Sequence, residues 1–345
     1  MSCQRFKQIK RFFRVDDRTR RDPNDPLYPV RDVWEILNKN LSAFYTPSAE
    51  LTVDEQLLEY HGRIRFRVYI ASKPGRYGIK IHWLNEASTG FALLGLPCIG
   101  ERTLSESERN GVSVPEAITL RLMSPFLNKG YNVTTDNWFT SCTLADTLLQ
   151  QNTTLVGTIR SNRRDIPPKA KSVVGREKKS SEYFSSGDQL LLSYYDKRNK
   201  PVLLLSTMHN TAEKLDNGLP EIIQFYNETK GGTDSMDHMV RLYRSGKISR
   251  RWTLTFFFNM IDVSLLNACI IYRALQRPNP QQRNRFRRQF LLDAGYELLN
   301  SFLTQRWVDT VVLEMNLEVH IQHQAEIAVG NGFFAEDSVA EEHDK

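Results

Sequence analysis

Between Glu50 and Ile159 the chain alternates short apolar runs with turn residues in an order that few architectures satisfy. ELTVDEQL, RFRVYI, YGIKIHWLN and GFALLGLPCI come first, each bounded by Gly, Pro, Ser or Asn, as in an antiparallel meander. Pro115 to Leu127 then carries the period of an amphipathic helix, YNVTTD reads as a short strand, Thr140 to Gln150 as a helix and TLVGTI as a further strand. With RFRVYI taken as a connecting piece, the order βββαβαβ predicts an α/β domain: a mixed sheet with helices on its faces.

The flanking segments divide by texture. Residues 1–48 form a partial N-terminal helical region, in which Phe6, Ile9 and Phe13 recur at helical spacing and Val33, Ile36 and Leu37 share a face further on. Residues 49–159 make the first part of the core. A β-containing insertion over 160–221 holds QLLLSYYD and PVLLLST and ends at the Gly218 to Pro220 break. The core resumes over 222–275, followed by a basic helical region at 276–325 and an acidic tail at 326–345 that reads as disordered.

Thr253 to Tyr272 has the length of a membrane span but contains Asn259, Asp262 and Asn267. A central Asp costs ~2.5–3.5 kcal/mol on an insertion scale, so the segment is expected to be a helix buried in protein, with no membrane partner. The first twenty residues are charged throughout and are not a secretory signal. Cysteines at 3, 98, 142 and 269 are too scattered for paired metal spacing or a disulfide scaffold, which points to a reducing compartment. Histidines at 61, 82, 209, 238, 320, 323 and 343 show no zinc spacing with them, so no zinc is expected. GxSxG, GxxxxGK[ST] and HExxH are absent, which argues against hydrolase elbows, P-loop ATPases and zincins, and against a nucleotide cofactor.

Carboxylates remain. Asp54 follows alternating apolar residues in LTVDEQ, and Asp136 ends YNVTTD just before Trp138 and Phe139. Each has a plain reading, Asp54 in a turn and Asp136 as a helix cap, and a costlier one, an acid buried beside apolar strands that needs compensation. KGGTDSMDHM adds Asp234 and Asp237, on one face if helical, behind Gly231 and Gly232, which permit close backbone approach and an abrupt helix start. Acids gathered from separate elements repel unless Mg²⁺ or Mn²⁺ binds between them. Two such ions about 3.5–4 Å apart suit in-line phosphoryl displacement. No basic residue in the acids' own motifs is expected to offset their charge.

The net charge of +6, from 46 Lys and Arg against 40 Asp and Glu, is concentrated. Arg160, Arg163, Arg164, Lys169 and Lys171 open one cluster, Arg244, Lys247, Arg250 and Arg251 belong to a second, and arginines at 273, 277, 283, 285, 287 and 288 form a third. They read as phosphate-binding surfaces, with Trp138, Phe139 or Trp252 available either to stack on unpaired bases or to pack in the core.

LTVDEQLLEYHGRIRFRVYIASKPGRYGIKI, YNVTTDNWFTS, LVGTIRSNRRDIP and FYNETKGGTDSMDHM resemble, in order and spacing, the signature blocks of piggyBac-type transposases and their transposable-element-derived relatives. The resemblance runs from about Met1 to Tyr272. It implies a ribonuclease-H-like core interrupted by an insertion, Asp54, Asp136 and Asp234 as the metal-binding catalytic aspartates, and Asp237 as a fourth aspartate of the motif. It further implies DNA as partner, with a homodimer open, a nuclear location, and metal-dependent strand cleavage and transfer at TTAA targets. The alternative it leaves is a domesticated nuclear DNA-binding protein without transposition activity. Family members usually carry a longer N-terminal region and a cysteine-rich, zinc-binding end, and no cysteine follows Cys269 here, so incomplete recognition of transposon ends is expected.

Overall fold

The structure, a computed structural model, describes residues 2–109, 111–196, 200–276 and 286–307. The chain divides into two compact units, residues 1–277 and 278–345. In the second unit residues 286–307 are helical. The acidic tail, His320, His323, His343, Arg277, Arg283 and Arg285 lie outside the described residues.

The first unit is built on strands β1 (Glu50–Glu59), β2 (Arg67–Tyr69), β3 (Tyr77–Glu86), β4 (Ala92–Pro97), β5 (Asn132–Thr135), β6 (Thr154–Thr158), β7 (Ser180–Ser186), β8 (Gln189–Tyr195) and β9 (Val202–Ser206). Its helices are α1 (Cys3–Phe12), α2 (Arg31–Leu41), α3 (Glu106–Arg109), α4 (Val114–Met123), α5 (Cys142–Leu149), α6 (Pro168–Lys171), α7 (Glu221–Thr229), α8 (Gly232–Leu242) and α9 (Trp252–Gln276). All nine strands join one sheet in the order β2-β3-β1-β5-β6-β9-β8-β7, with β4 also paired to β3. β1, β5 and β6 run parallel, whereas β3 pairs antiparallel with β1, β2 and β4. This is the mixed sheet of the ribonuclease-H-like class.

Two departures from the sequence reading concern strands. RFRVYI is not merely a connection, because three of its residues pair with the first half of β3 while β4 takes the second half. The strands of the 160–221 segment extend the core sheet: β9 pairs antiparallel with the edge of β6, and β8 and β7 follow. β7 escaped the pattern because SSEYFSS is polar, and it is held by pairing along its whole length to β8.

Both faces of the sheet are covered, which explains the nearly continuous apolar runs in its central strands. Leu51 and Val53 of β1, Leu84 of β3, Val133 of β5 and Leu155 of β6 pack with Ile118 and Leu122 of α4 and Leu144 and Leu148 of α5. On the other face Ile79, Ile81 and Trp83 of β3 meet Trp34 and Leu37 of α2, Met236 and Val240 of α8, and Phe256, Met260 and Val263 of α9. α7 covers the same sheet further along, with Ile222 among Val156, Leu192 and Leu204.

α9 is long and apolar enough to cross a membrane by length and composition. Asn259, Asp262 and Asn267 are nevertheless buried and bonded within the fold. Asn267 donates to Ala92 O and accepts from Ala92 N, Asn259 exchanges bonds with Gln56, and Asp262 accepts from Ser245 N. They dock the helix on the sheet, and their bonding offsets the cost of burying them.

Candidate active site

The parallel pairing of β1 with β5 ends at Val53 opposite Thr135. Asp54 and Asp136 are the next residues along the chain after that last pair, and the Asp54 carboxyl feels the charge of Asp136. Strand alternation places Asp54 on the face of Thr52 and Gln56, and Asp136 follows Thr134 on that face. Both sit at the carboxyl end of the paired segments, where open α/β sheets characteristically build their sites.

The α7–α8 junction brings the third acid to this face. The Thr134 and Thr229 hydroxyls lie 2.7 Å apart in a hydrogen bond, and Thr52 Oγ1 donates to Lys230 O at 3.5 Å. At Gly232 a Cβ would press on Thr52 Cγ2 and stand 2.9 Å from Glu86 O, so a side chain there would push α8 off β1. That close approach seats the start of α8 on β1 and leaves Asp234 in the first helical turn. The neighbouring Gly231 meets nothing and serves as the helix N-cap.

Each carboxylate is engaged by an N–H donor. Asp54 Oδ1 accepts from Glu55 N at 2.7 Å. Asp136 Oδ1 accepts from Trp138 N at 2.9 Å and Phe139 N at 3.4 Å, so it does cap the turn that follows, as the plain reading had it. Asp234 Oδ1 accepts from Lys73 Nζ at 2.9 Å. The expectation that no cation would offset these acids therefore fails at Lys73, which lies in the turn before β3 and inside the same signature block as Asp54.

The electrostatics show how tightly the acids share one field. Burial, then the charge of Glu55 and a smaller push from Asp136, raise the Asp54 carboxyl to about 7, against the Glu55 N–H and Lys73. Burial also raises Glu55, which feels Lys73, Lys80, Asp136 and Asp234. The Tyr226 phenol of α7 is raised by burial and by Asp136 and Asp54, and it bonds Thr158 at the end of β6. Among the described residues no three His, Cys, Asp or Glu side chains are drawn together as a ready ligand shell. The donor chemistry still fits a hard divalent cation, since it consists of carboxylate oxygens from three elements.

Asp237 faces elsewhere. It is buried, accepts from Gln56 Nε2 at 3.0 Å and pairs with Arg241 at 3.3 Å. Gln56 in turn accepts from Trp83 Nε1 and bonds Asn259, making a buried polar joint between β1, β3, α8 and α9. Asp237 thus fixes the helix that carries Asp234.

The basic residues separate by their bonds. Arg160, exposed at the end of β6, donates to Asn137 Oδ1 at 3.0 Å, beside Asp136. Arg163 is half-buried and donates to Thr140 O, whereas Arg164, Lys169 and Lys171 are exposed, Lys171 reaching Arg163 O. Lys247 and Arg250 are exposed, and Arg244 and Arg250 line a cavity of ≈ 640 Å³ with Tyr60, His61 and Arg63. Arg251 is spent inside the fold: its guanidinium donates to the carbonyls of Lys10, Arg11 and Phe13, closing the end of α1. Phe139 is a core residue. Trp138 is half-buried, with Lys80 Nζ 4.6 Å from its ring and His82 stacked parallel to it. Trp252 packs edge-on against Phe66 and Phe256.

The mixed ribonuclease-H-like sheet thus carries one aspartate within β1, one directly after β5 and one in the first turn of α8. Residues 1–269 match the family described as Transposase IS4, and the chain belongs to it. It is similar to the piggyBac transposase of a cryo-EM synaptic complex with hairpin DNA, at 36% identity and a TM-score of 0.80, covering 88% of this chain and 64% of that one. It is also 23% identical over 288 residues to human PiggyBac transposable element-derived protein 3, covering 79% of this chain and 48% of the relative. The human chimeric ERCC6-PGBD3 protein matches equally, at 23% identity over 288 residues, with 27% of its length covered. The chain thus spans about half or less of the curated relatives it matches.

Proposed function

We propose that this chain is the catalytic core of a piggyBac-like transposase, cutting and joining DNA strands by in-line phosphoryl transfer with Asp54, Asp136 and Asp234 holding Mg²⁺ or Mn²⁺. The observation that supports the reading is the parallel register of β1 and β5 up to Val53 and Thr135, one residue before Asp54 and Asp136, together with the contact of Gly232 on Thr52 ahead of Asp234. When bound, the metal supplies charge stabilisation at the attacking and leaving oxygens. The protein's part is positional. β1 and β5 fix two acids on a rigid sheet, and Asp237 and Gln56 fix α8. In the reaction a water or 3′ hydroxyl oxygen bonds to phosphorus as the opposite P–O bond breaks, the nucleophile's proton passing to solvent.

DNA is the partner this reading requires. Arg160, which bonds Asn137 next to Asp136, the exposed Arg164, Lys169, Lys171 and Lys247, and Arg244 and Arg250 lining the cavity with Tyr60, supply positive charge for phosphates. The similar transposase was solved as a complex with hairpin DNA, which supports that assignment. TTAA targeting, a nuclear location and a homodimer belong to the same proposal. The likeness to the human transposable element-derived protein favours a second reading, DNA binding without transposition.

Incubation of the chain with Mn²⁺ and a supercoiled plasmid or hairpin oligonucleotide tests the choice. Nicking or joining that disappears in Asp136→Asn, with DNA affinity retained, supports the enzyme. Equal DNA binding by both proteins with no cleavage by either selects the second reading.

A further inference from the structure

Lys73 enters the acidic site from a turn that is tied at both ends. Ile70 N donates to Arg76 O at 2.8 Å, Lys73 N to Ile70 O at 3.2 Å and Arg76 N to Lys73 O at 3.0 Å. The side chain is 16% exposed, and its ammonium donates both to Asp234 Oδ1 at 2.9 Å and to Glu55 O at 3.0 Å. The second acceptor matters most. Glu55 O is a main-chain carbonyl of β1, one residue past Asp54, so the charge is pinned to the strand bearing the first acid. Asp234, by contrast, is 65% exposed at the start of α8 and depends on Lys73 for its orientation.

An ion held by Asp54, Asp136 and Asp234 would take Asp234's oxygen and sit beside a fixed ammonium of like charge. We propose that Lys73 is a resident counter-cation of the acidic site, and that a divalent metal bound there competes with it for Asp234. The proposal rests on the metal-dependent reading above. Asp234 Oδ1 is engaged by Lys73, while Asp54 Oδ1 and Asp136 Oδ1 accept from backbone N–H groups, so Lys73 is the side-chain cation bonded to one of the three acids.

Calorimetric titration of the full chain with Mn²⁺, without DNA, tests it. Lys73→Met should bind Mn²⁺ about threefold tighter or more, since a fixed cation leaves the ion's neighbourhood, while Lys73→Arg, which keeps the charge, should stay near the wild type. The gain should disappear in an Asp234→Asn background, where the metal has lost the oxygen for which Lys73 competes. Lys73→Gln serves as the second uncharged variant if Lys73→Met does not fold, judged by circular dichroism. Equal or weaker Mn²⁺ affinity in a folded uncharged variant overturns the proposal and leaves the metal site standing. Absence of Mn²⁺ binding in the wild type and every variant overturns the metal-dependent reading, and Lys73's role falls with it.

Discussion

Replacing Asp54 with Asn should stabilise the metal-free protein, and by an amount that depends on pH. The carboxyl titrates at about 7 in the fold against an ordinary value of 3.8, raised first by burial and then by Glu55. Between those two values the folded chain holds the proton more firmly than the unfolded one, so stability falls as pH rises. The penalty is complete above pH 7 and vanishes below 4. At about 1.36 kcal/mol per pH unit the full difference is ~4 kcal/mol. Asp54 is only half-buried and shares its field with Glu55, so ~1–3 kcal/mol is the expected share at pH 8. Asn keeps an oxygen for the Glu55 N–H and nearly the same volume, which isolates the charge.

The assay is equilibrium urea unfolding in EDTA at several values from pH 4.5 to 8.5, with the variant always compared with wild type at the same pH. The gap should be widest at pH 8 and close towards pH 4.5. Added Mn²⁺ should reverse the ranking, because the ion stabilises the carboxylate in the wild type and finds one ligand fewer in the variant. A variant no more stable than wild type at pH 8, or a gap of constant size across the range, would refute the claim that the site stores unfavourable charge.

Three further outcomes follow from single contacts. Gly232→Ala should cost about 1–3 kcal/mol in urea unfolding and weaken Mn²⁺ binding, because its Cβ meets Thr52 and the Glu86 carbonyl and α8 must move. Arg251→Ala should lose about 1–3 kcal/mol of stability while leaving the salt dependence of DNA binding unchanged, whereas Arg160, Arg163 and Arg164 changed together to Ala should flatten that slope by about 0.9 per lost phosphate contact. His82 is fully buried with both ring nitrogens unpartnered, and burial and then Lys80 pull it down to about 3 from an ordinary 6.5, so the wild type should lose stability as pH drops below 6.5. His82→Leu should remove that loss, measured as unfolding free energy at pH 5 against pH 8.

How far the sequence foretold this site depends on the range over which each contact is decided. The β1 and β5 patterns are local, because alternation along a strand sets which side chains share a face, and they bracket Asp54 and Asp136, although the plain reading of Asp54 as a turn residue fails because it lies inside β1. Lys73 could not, although its block was in view. Its partner lies 161 residues away, and nothing in SKPGR says which acid the ammonium will meet. Arg251 sits in a basic run like any other until α1, some 240 residues earlier, presents three carbonyls to it.

Asp234 and Asp237 give the sharpest case, because their three-residue spacing does put both on one helical face, and that face does meet β1. Helix and strand advance at different rates, however. From Asp234 to Asp237 α8 rises about 4.5 Å, whereas successive residues on one face of β1 stand about 6.8 Å apart. With Gly232 seated on Thr52, the first acid reaches the level of Asp54 and Glu55, where Lys73 bridges it to the strand. The second lies nearer the next rung, and that rung is Gln56, whose amide binds it in the buried joint with Asn259 and Trp83. Spacing along the helix alone therefore assigns both acids to a face but not to a site. The register against β1 separates them, one towards the chemistry and the other into the support beneath it.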